Sequence, residues 1–265
     1  MNTEPFDLKI AQMVGCITRP WRKRRFMMGK LPFPFGGRKR AAGSAENIDA
    51  IVTKPLTLIT GGSSGIGAAM ATEFAEAGHN LLLIGQDQAR LGAVVDRVSG
   101  LGEGEVLSIA LDLTDLTLHQ LIDELLLLKG YHVEVLINNA GIGERDDFLS
   151  SSFEDLKAVV DLNIDVLTAL SHRYLPGMVQ RGEGALLNLS SIGGLAPGPY
   201  NAVYYASKAY VTNLTEALAN ELRGRGVYIA AVLPGPTKTP FHYKINGQNS
   251  LYHYVLWRMK PRAVA

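Results

Sequence analysis

Tyr204 and Lys208 stand four residues apart, and Ser191 lies thirteen residues before that tyrosine. On a helix, positions i and i+4 share a face, so the phenol and the ammonium would sit side by side. A free phenol titrates near 10 and is a poor acid or base at neutral pH. A neighbouring ammonium favours the phenolate and brings proton transfer towards the working range. A serine hydroxyl at the end of a strand could donate to an oxygen on which charge develops. Tyr200, Tyr205 and Tyr210 have no lysine four positions later, and Ser190 is fourteen rather than thirteen residues before Tyr204. These four read as wall and packing residues.

More than a hundred residues upstream the chain runs Thr60-Gly61-Gly62-Ser63-Ser64-Gly65-Ile66-Gly67. Between a strand and a helix, Gly61 would permit the tight turn and Gly65 the approach of backbone to a pyrophosphate. Gly67 would bring the helix against the sheet, and free N–H groups at the helix start would face the phosphates. A glycine-rich turn alone is often only a turn. In this order, with Asn138-Asn139-Ala140-Gly141 between, the motifs resemble the short-chain dehydrogenase/reductase family from about Pro55 to about Thr239.

The resemblance implies a nicotinamide cofactor, NAD(P), and a small-molecule carbonyl or alcohol substrate. It carries the cradle onto Gly61, Ser63, Ser64, Gly65, Ile66 and Gly67, and an adenine contact onto Asp112 with its neighbour Leu113. The cofactor floor falls on Asn138, Ala140 and Gly141. Pro234, Gly235, Thr237 and Thr239 match the segment that orients the nicotinamide. Tyr204 would be the proton donor and Lys208 would also hold the ribose. Ser191 would bind the substrate oxygen, and Asn163 would support a proton path through the lysine; an asparagine that merely satisfies backbone groups is the other reading. After strand two the chain reads Gly85-Gln86-Asp87-Gln88, with neither a carboxylate nor an arginine in the usual ribose-reading place. Gln86 joins the cofactor set, and Ser63 and Ser64 tilt the balance to NADP.

These residues need a scaffold that gathers strand ends. From Pro55 onward, short apolar runs alternate with helical patterns, the sign of βαβ units. Strands are expected at 56–60, 81–84, 106–111, 133–137, 185–189 and 227–233. Helices are expected at 66–77, through Leu91 to Val98, through Leu118 to Leu125, from Phe153 towards Tyr174, and over Ala202 to Arg223. The result is α/β: a doubly wound, Rossmann-like parallel sheet of six strands. Relatives continue into a further helix and a seventh strand, whereas here Lys260 to Val264 reads as a helix beginning just before Ala265. The expectation is therefore a pattern cut short, with strand six at an edge and activity less secure.

The 265 residues are 47% hydrophobic, enough for one large core. The single cysteine, Cys16, excludes an internal disulfide and suits a reducing, cytoplasmic compartment. The six histidines lack zinc spacing, so no metal site is expected and solvated positions are the better reading. No run approaches the ~18 apolar residues of a membrane span. Charge is uneven: residues 1–54 hold eleven Lys or Arg against four Asp or Glu. Residues 1–54 read as a basic, poorly ordered extension and 55–265 as the oxidoreductase domain. Within segment 19–40, basic residues interleave with Phe26, Phe33 and Phe35 and could rest on an anionic membrane surface. A nucleic-acid partner is not expected, and a homo-oligomer is. The aromatic residues after the Pro-Gly segment, Phe241 to Trp257, favour an apolar substrate. Against the oxidoreductase stand two other classes: a truncated dinucleotide-binding protein without catalysis, and a methyltransferase on a related sheet.

Overall fold

Strands covered on both faces need continuous apolar runs, and the central ones have them. In the computed structural model, which describes residues 53–241 and 259–265, β1 (Lys54–Thr60) and β2 (Leu81–Gly85) bury nearly every side chain. They pair with β3 (Val106–Ala110), β4 (Tyr131–Asn138), β5 (Gly184–Leu189) and β6 (Val227–Val232) in one sheet. All pairings are parallel and the order is β3-β2-β1-β4-β5-β6. β3 and β6 are the edges, and their side chains are correspondingly only part-buried. The chain winds outward from β1 to β3, then returns to place β4 beside β1. That reversal opens a crevice at the carboxyl ends of β1 and β4.

Helices cover both faces. Leu91, Val94 and Val98 of α2 (Gln88–Val98) join Ala71 and Phe74 of α1 (Gly65–Glu76) on one side. On the other, α3 (His119–Lys129) contributes Ile122 and Leu126. The expected long helix is α4 (Phe153–Val160), a π-helical segment Asp161–Val166, and α5 (Leu167–Arg181). A π-segment inside an α-helix recurs at functional sites, and here it carries the buried Asn163. The last long helix, α6 (Ala202–Glu221), buries Val211 fully.

The pairing of β1 with β4 carries one irregularity. Leu56 pairs with Val133 and Thr57 with Val135, so Glu134 is an extra residue in β4. A bulge of this kind reverses the alternation of side chains beyond it. Tyr131 and Val133 consequently share a face with Leu136.

Residues Met259–Ala265 return to the domain. Lys260 to Val264 do not begin an α-helix; Pro261–Ala263 form a single 3-10 turn. Arg262 meets Glu73 (2.5 Å) and Glu76 (3.0 Å) on α1, and Val264 is buried. The histidines correct another expectation. His119 is 2% exposed and its Nε2 lies 2.8 Å from the Leu113 carbonyl, so it braces a loop inside the protein. No helix among the described residues is long and apolar enough to cross a membrane. The basic segment 19–40 and the aromatic residues Tyr243 to Trp257 lie outside the described residues.

Candidate active site

The crevice is a cleft of about 690 Å³. Its floor is the glycine turn. Gly61 and Gly65 have φ of +65° and +57°, conformations that L side chains rarely adopt. A Cβ on Gly67 would lie 2.4 Å from the Gly61 carbonyl, so this glycine packs α1 against the turn and does not line the cleft. Thr60 and Asn139 lock the turn to the loop after β4. The Thr60 Oγ1 accepts from the Asn139 and Ala140 N–H groups, both at 3.0 Å. The Asn139 Nδ2 donates to the carbonyls of Thr60 (2.8 Å) and Gly61 (3.2 Å). No carboxylate stands in the first turn of α1, and Ser64 makes no side-chain cap there. A helix start left this way suits a phosphate, so the cradle fits a dinucleotide.

Asn138 is a correction. It does not line the cleft; the bulge at Glu134 turns it towards α5, where its Nδ2 donates to Asn188 (2.9 Å) and Ser171 (3.1 Å). Asn139 is the asparagine at the cleft. Asp112 also lies outside the lining, although Leu113 is in it. The Asp112 carboxylate is held below its ordinary pKa by the Thr114 hydroxyl and N–H, with Gln86 adding a hydrogen bond. Its tie to the cleft runs through Gln86, which does line it. At the same end the structure adds two residues that spacing did not reveal. Asp87 caps α2 by accepting from the Arg90 N–H (3.0 Å), and its carboxylate pairs with the Arg90 guanidinium (2.8 Å). Both line the cleft beside Ser63.

The reactive end gathers Ser191, Tyr204 and Lys208. Ser191 is extended at the end of β5 and caps a 3-10 turn by accepting from the Gly193 N–H (3.0 Å). Its hydroxyl also hydrogen-bonds the Tyr204 phenol. Lys208 lies one turn along α6, 5.8 Å from the centroid of the Tyr204 ring, and donates to the Leu189 carbonyl at 2.8 Å. Burial lowers the Lys208 pKa to about 8. Burial also pushes the phenol up to about 12; the Ser191 hydrogen bond pulls the other way and the neighbouring Tyr205 adds to the rise. The lysine was expected to bring the phenol down. With the ammonium directed at Leu189, desolvation of the phenolate outweighs that attraction.

Asn163 does not line the cleft. Its Oδ1 accepts from the Ile142 N–H (3.0 Å), and its Nδ2 donates to the Ile142 carbonyl (2.9 Å) and to Ser207 (3.0 Å). These are the contacts of an asparagine that satisfies backbone, and they join the loop after β4 to α6. Ser190 and Tyr205 are wall and packing residues, as read: Ser190 donates to the Lys208 carbonyl at 2.8 Å, and both line the cleft. Pro234, Gly235, Thr237 and Thr239 close the cleft above the glycine turn, Thr239 against Gly65. The Thr237 hydroxyl donates to the Gly235 carbonyl (2.9 Å), and Met259 pairs with this segment on its far side. Arg145, Ile142, Ile192 and Phe241 also line the cleft. Phe241 is the one of these singled out by its type; the remainder had no motif to mark them.

The profile of the short chain dehydrogenase family matches residues 55–250. The very-long-chain 3-oxoacyl-CoA reductase of Bos taurus is 34% identical over 181 residues, which is 67% of this chain and 57% of the relative. The chain therefore spans less than two thirds of that relative's length. Sulfoacetaldehyde reductase 2 of Chromohalobacter salexigens is 34% identical over 205 residues, 77% of this chain and 81% of the relative. Among solved structures, a short-chain dehydrogenase from Sphingobium yanoikuyae in complex with NADPH is similar with a TM-score of 0.73 at 33% identity, covering 80% of this chain and 81% of that one.

Proposed function

From the premise that this chain belongs to the short-chain dehydrogenase/reductase family, we propose that it is an NAD(P)-dependent oxidoreductase acting on a carbonyl or alcohol. One observation carries the reading. The Ser191 and Tyr204 hydroxyls and the Lys208 ammonium share a single cleft with the glycine turn at the start of α1. When bound, the nicotinamide supplies or accepts the hydride at the substrate carbon. In reduction, Tyr204 donates its proton to the carbonyl oxygen and Ser191 donates a hydrogen bond to the same oxygen. A phenol at about 12 holds its proton throughout the neutral range, as a donor to the carbonyl oxygen must. Lys208 holds the ribose and keeps positive charge beside the phenol, and Asn163 positions α6 against the loop after β4.

For the cofactor, Arg90, Ser63 and Gln86 at the end of β2 support NADPH over NADH, because a guanidinium accommodates a 2′-phosphate. The NADPH bound to the similar Sphingobium enzyme points the same way. The substrate is a carbonyl with an apolar body, in keeping with the name of the 3-oxoacyl-CoA reductase relative. Self-association, a cytoplasmic setting and contact of the basic segment 19–40 with an anionic membrane surface belong to the same proposal.

The test is a fluorescence titration with NADPH and NADH, followed by turnover on a panel of ketones. Binding of NADPH in the micromolar range and consumption of it with at least one ketone are expected. Cofactor binding without turnover on any ketone would favour the non-catalytic dinucleotide-binding reading.

A further inference from the structure

The loop after β4 carries Glu144-Arg145-Asp146-Asp147. The Asp146 N–H donates to the Tyr200 carbonyl at 3.1 Å. That bond ties the loop to the segment leading from Ser191 to Tyr204. Tyr200 has φ of +63°, a conformation that a bulky side chain adopts only when its surroundings impose it. The pairing sorts the charges of the loop. Glu144 and Asp146 face an outer depression with Phe148 and Tyr200. Arg145 lines the main cleft instead.

Arg145 forms no hydrogen bond or ion pair with any described residue. The only carboxylate among the described residues lining the cleft is Asp87, and it is engaged with Arg90 at the other end. The substrate half therefore combines a guanidinium unpaired among the described residues, the buried Lys208, and apolar walls from Ile142, Ile192 and Phe241. A cleft of one sign with low-dielectric walls concentrates ligands of the opposite sign. A guanidinium also matches the two oxygens of a carboxylate or phosphate.

We propose that the substrate carries an anionic group which pairs with Arg145, joined by an apolar stretch to the carbonyl at Ser191 and Tyr204. This rests on the reading of the cleft as a carbonyl-reducing site and narrows its substrate class to oxo acids and their phosphate-bearing counterparts.

The probes are 5-oxohexanoate, its methyl ester, and a 4-oxopentyl phosphate, tested on the full chain with saturating cofactor. The wild type should show kcat/KM about ten- to hundredfold higher for the anions than for the ester, the size of a charge-assisted hydrogen bond. Arg145→Met should abolish that preference by lowering kcat/KM for the two anions far more than for the ester. Arg145→Lys should restore part of it, and added salt should erode it. The ratio of carboxylate to phosphate turnover distinguishes the two kinds of anion. Equal kcat/KM for acid and ester in the wild type, or a preference that survives Arg145→Met, would overturn the proposal. Binding of the same probes to the protein–cofactor complex, followed by cofactor fluorescence, separates the two readings. Tighter binding of the anions, lost in Arg145→Met, supports the role of Arg145 even when no probe is reduced. Indifferent binding overturns it whether or not the ester is reduced.

Discussion

The Lys208 Nζ donates to the Leu189 carbonyl at 2.8 Å, which fixes the one buried ammonium of the site to the end of β5. That single bond leaves most of its desolvation uncompensated, and its pKa falls from 10.5 to about 8. Below about pH 8 the folded and unfolded chains both carry the proton, and the cost of the buried charge is present in full. Between about 8 and 10.5 the unfolded chain keeps a proton that the folded one has released, so stability rises with pH. Tyr204 acts oppositely but higher, losing stability only as pH climbs from 10 towards its folded value of about 12.

The stability of the cofactor-free protein minus that of Lys208→Met should consequently be flat below pH 8 and grow by up to about 3 kcal/mol by pH 10. Urea unfolding of both proteins across that range measures it. A difference without pH dependence would mean that Lys208 is not desolvated as the structure has it.

Tyr204→Phe keeps the ring and removes the proton. Turnover should fall by about 10²- to 10⁴-fold, with the Kd for NADPH within a few-fold of wild type. Near-normal turnover would transfer the role to Tyr205, whose ring lies 6.0 Å away and also lines the cleft.

Arg90→Ala should weaken NADPH by about ten- to hundredfold, the worth of a hydrogen bond to a charged group. NADH should change less than about twofold, because Asp87 still caps α2 through the backbone N–H of residue 90. Isothermal titration with both cofactors decides the matter; equal losses would assign Arg90 to the fold alone.

Asn138→Ala should cost about 1–3 kcal/mol, since Asn188 loses its buried donor. Cofactor affinity should stay unchanged. Asn139→Ala should do the reverse in kind: the carbonyls of Thr60 and Gly61 lose their donor, the glycine turn loosens, and NADPH binding weakens. Calorimetric unfolding paired with cofactor titration separates the two, and weakened binding in Asn138→Ala would count against the orientation set by the bulge.

What the sequence determined by itself is the set of properties that depend on neighbours along the chain. Leu81 to Ile84 is apolar at every position, which only a strand buried on both faces satisfies, and it occupies such a place. Gly61 and Gly65 were marked for backbone freedom and use positive φ. Tyr204 and Lys208 share a face because helical periodicity requires it. What the tertiary structure decided depends on residues far apart in sequence. An extra residue at Glu134, visible only against β1, chose Asn139 over Asn138 for the cleft. His119 is buried because the Leu113 carbonyl comes to meet it. Arg145 faces the cleft because Tyr200, fifty-five residues on, fixes the loop beside it. The phenol of Tyr204 rises instead of falling for the same reason: the lysine's distance is local, whereas desolvation is summed over every element packed around the site.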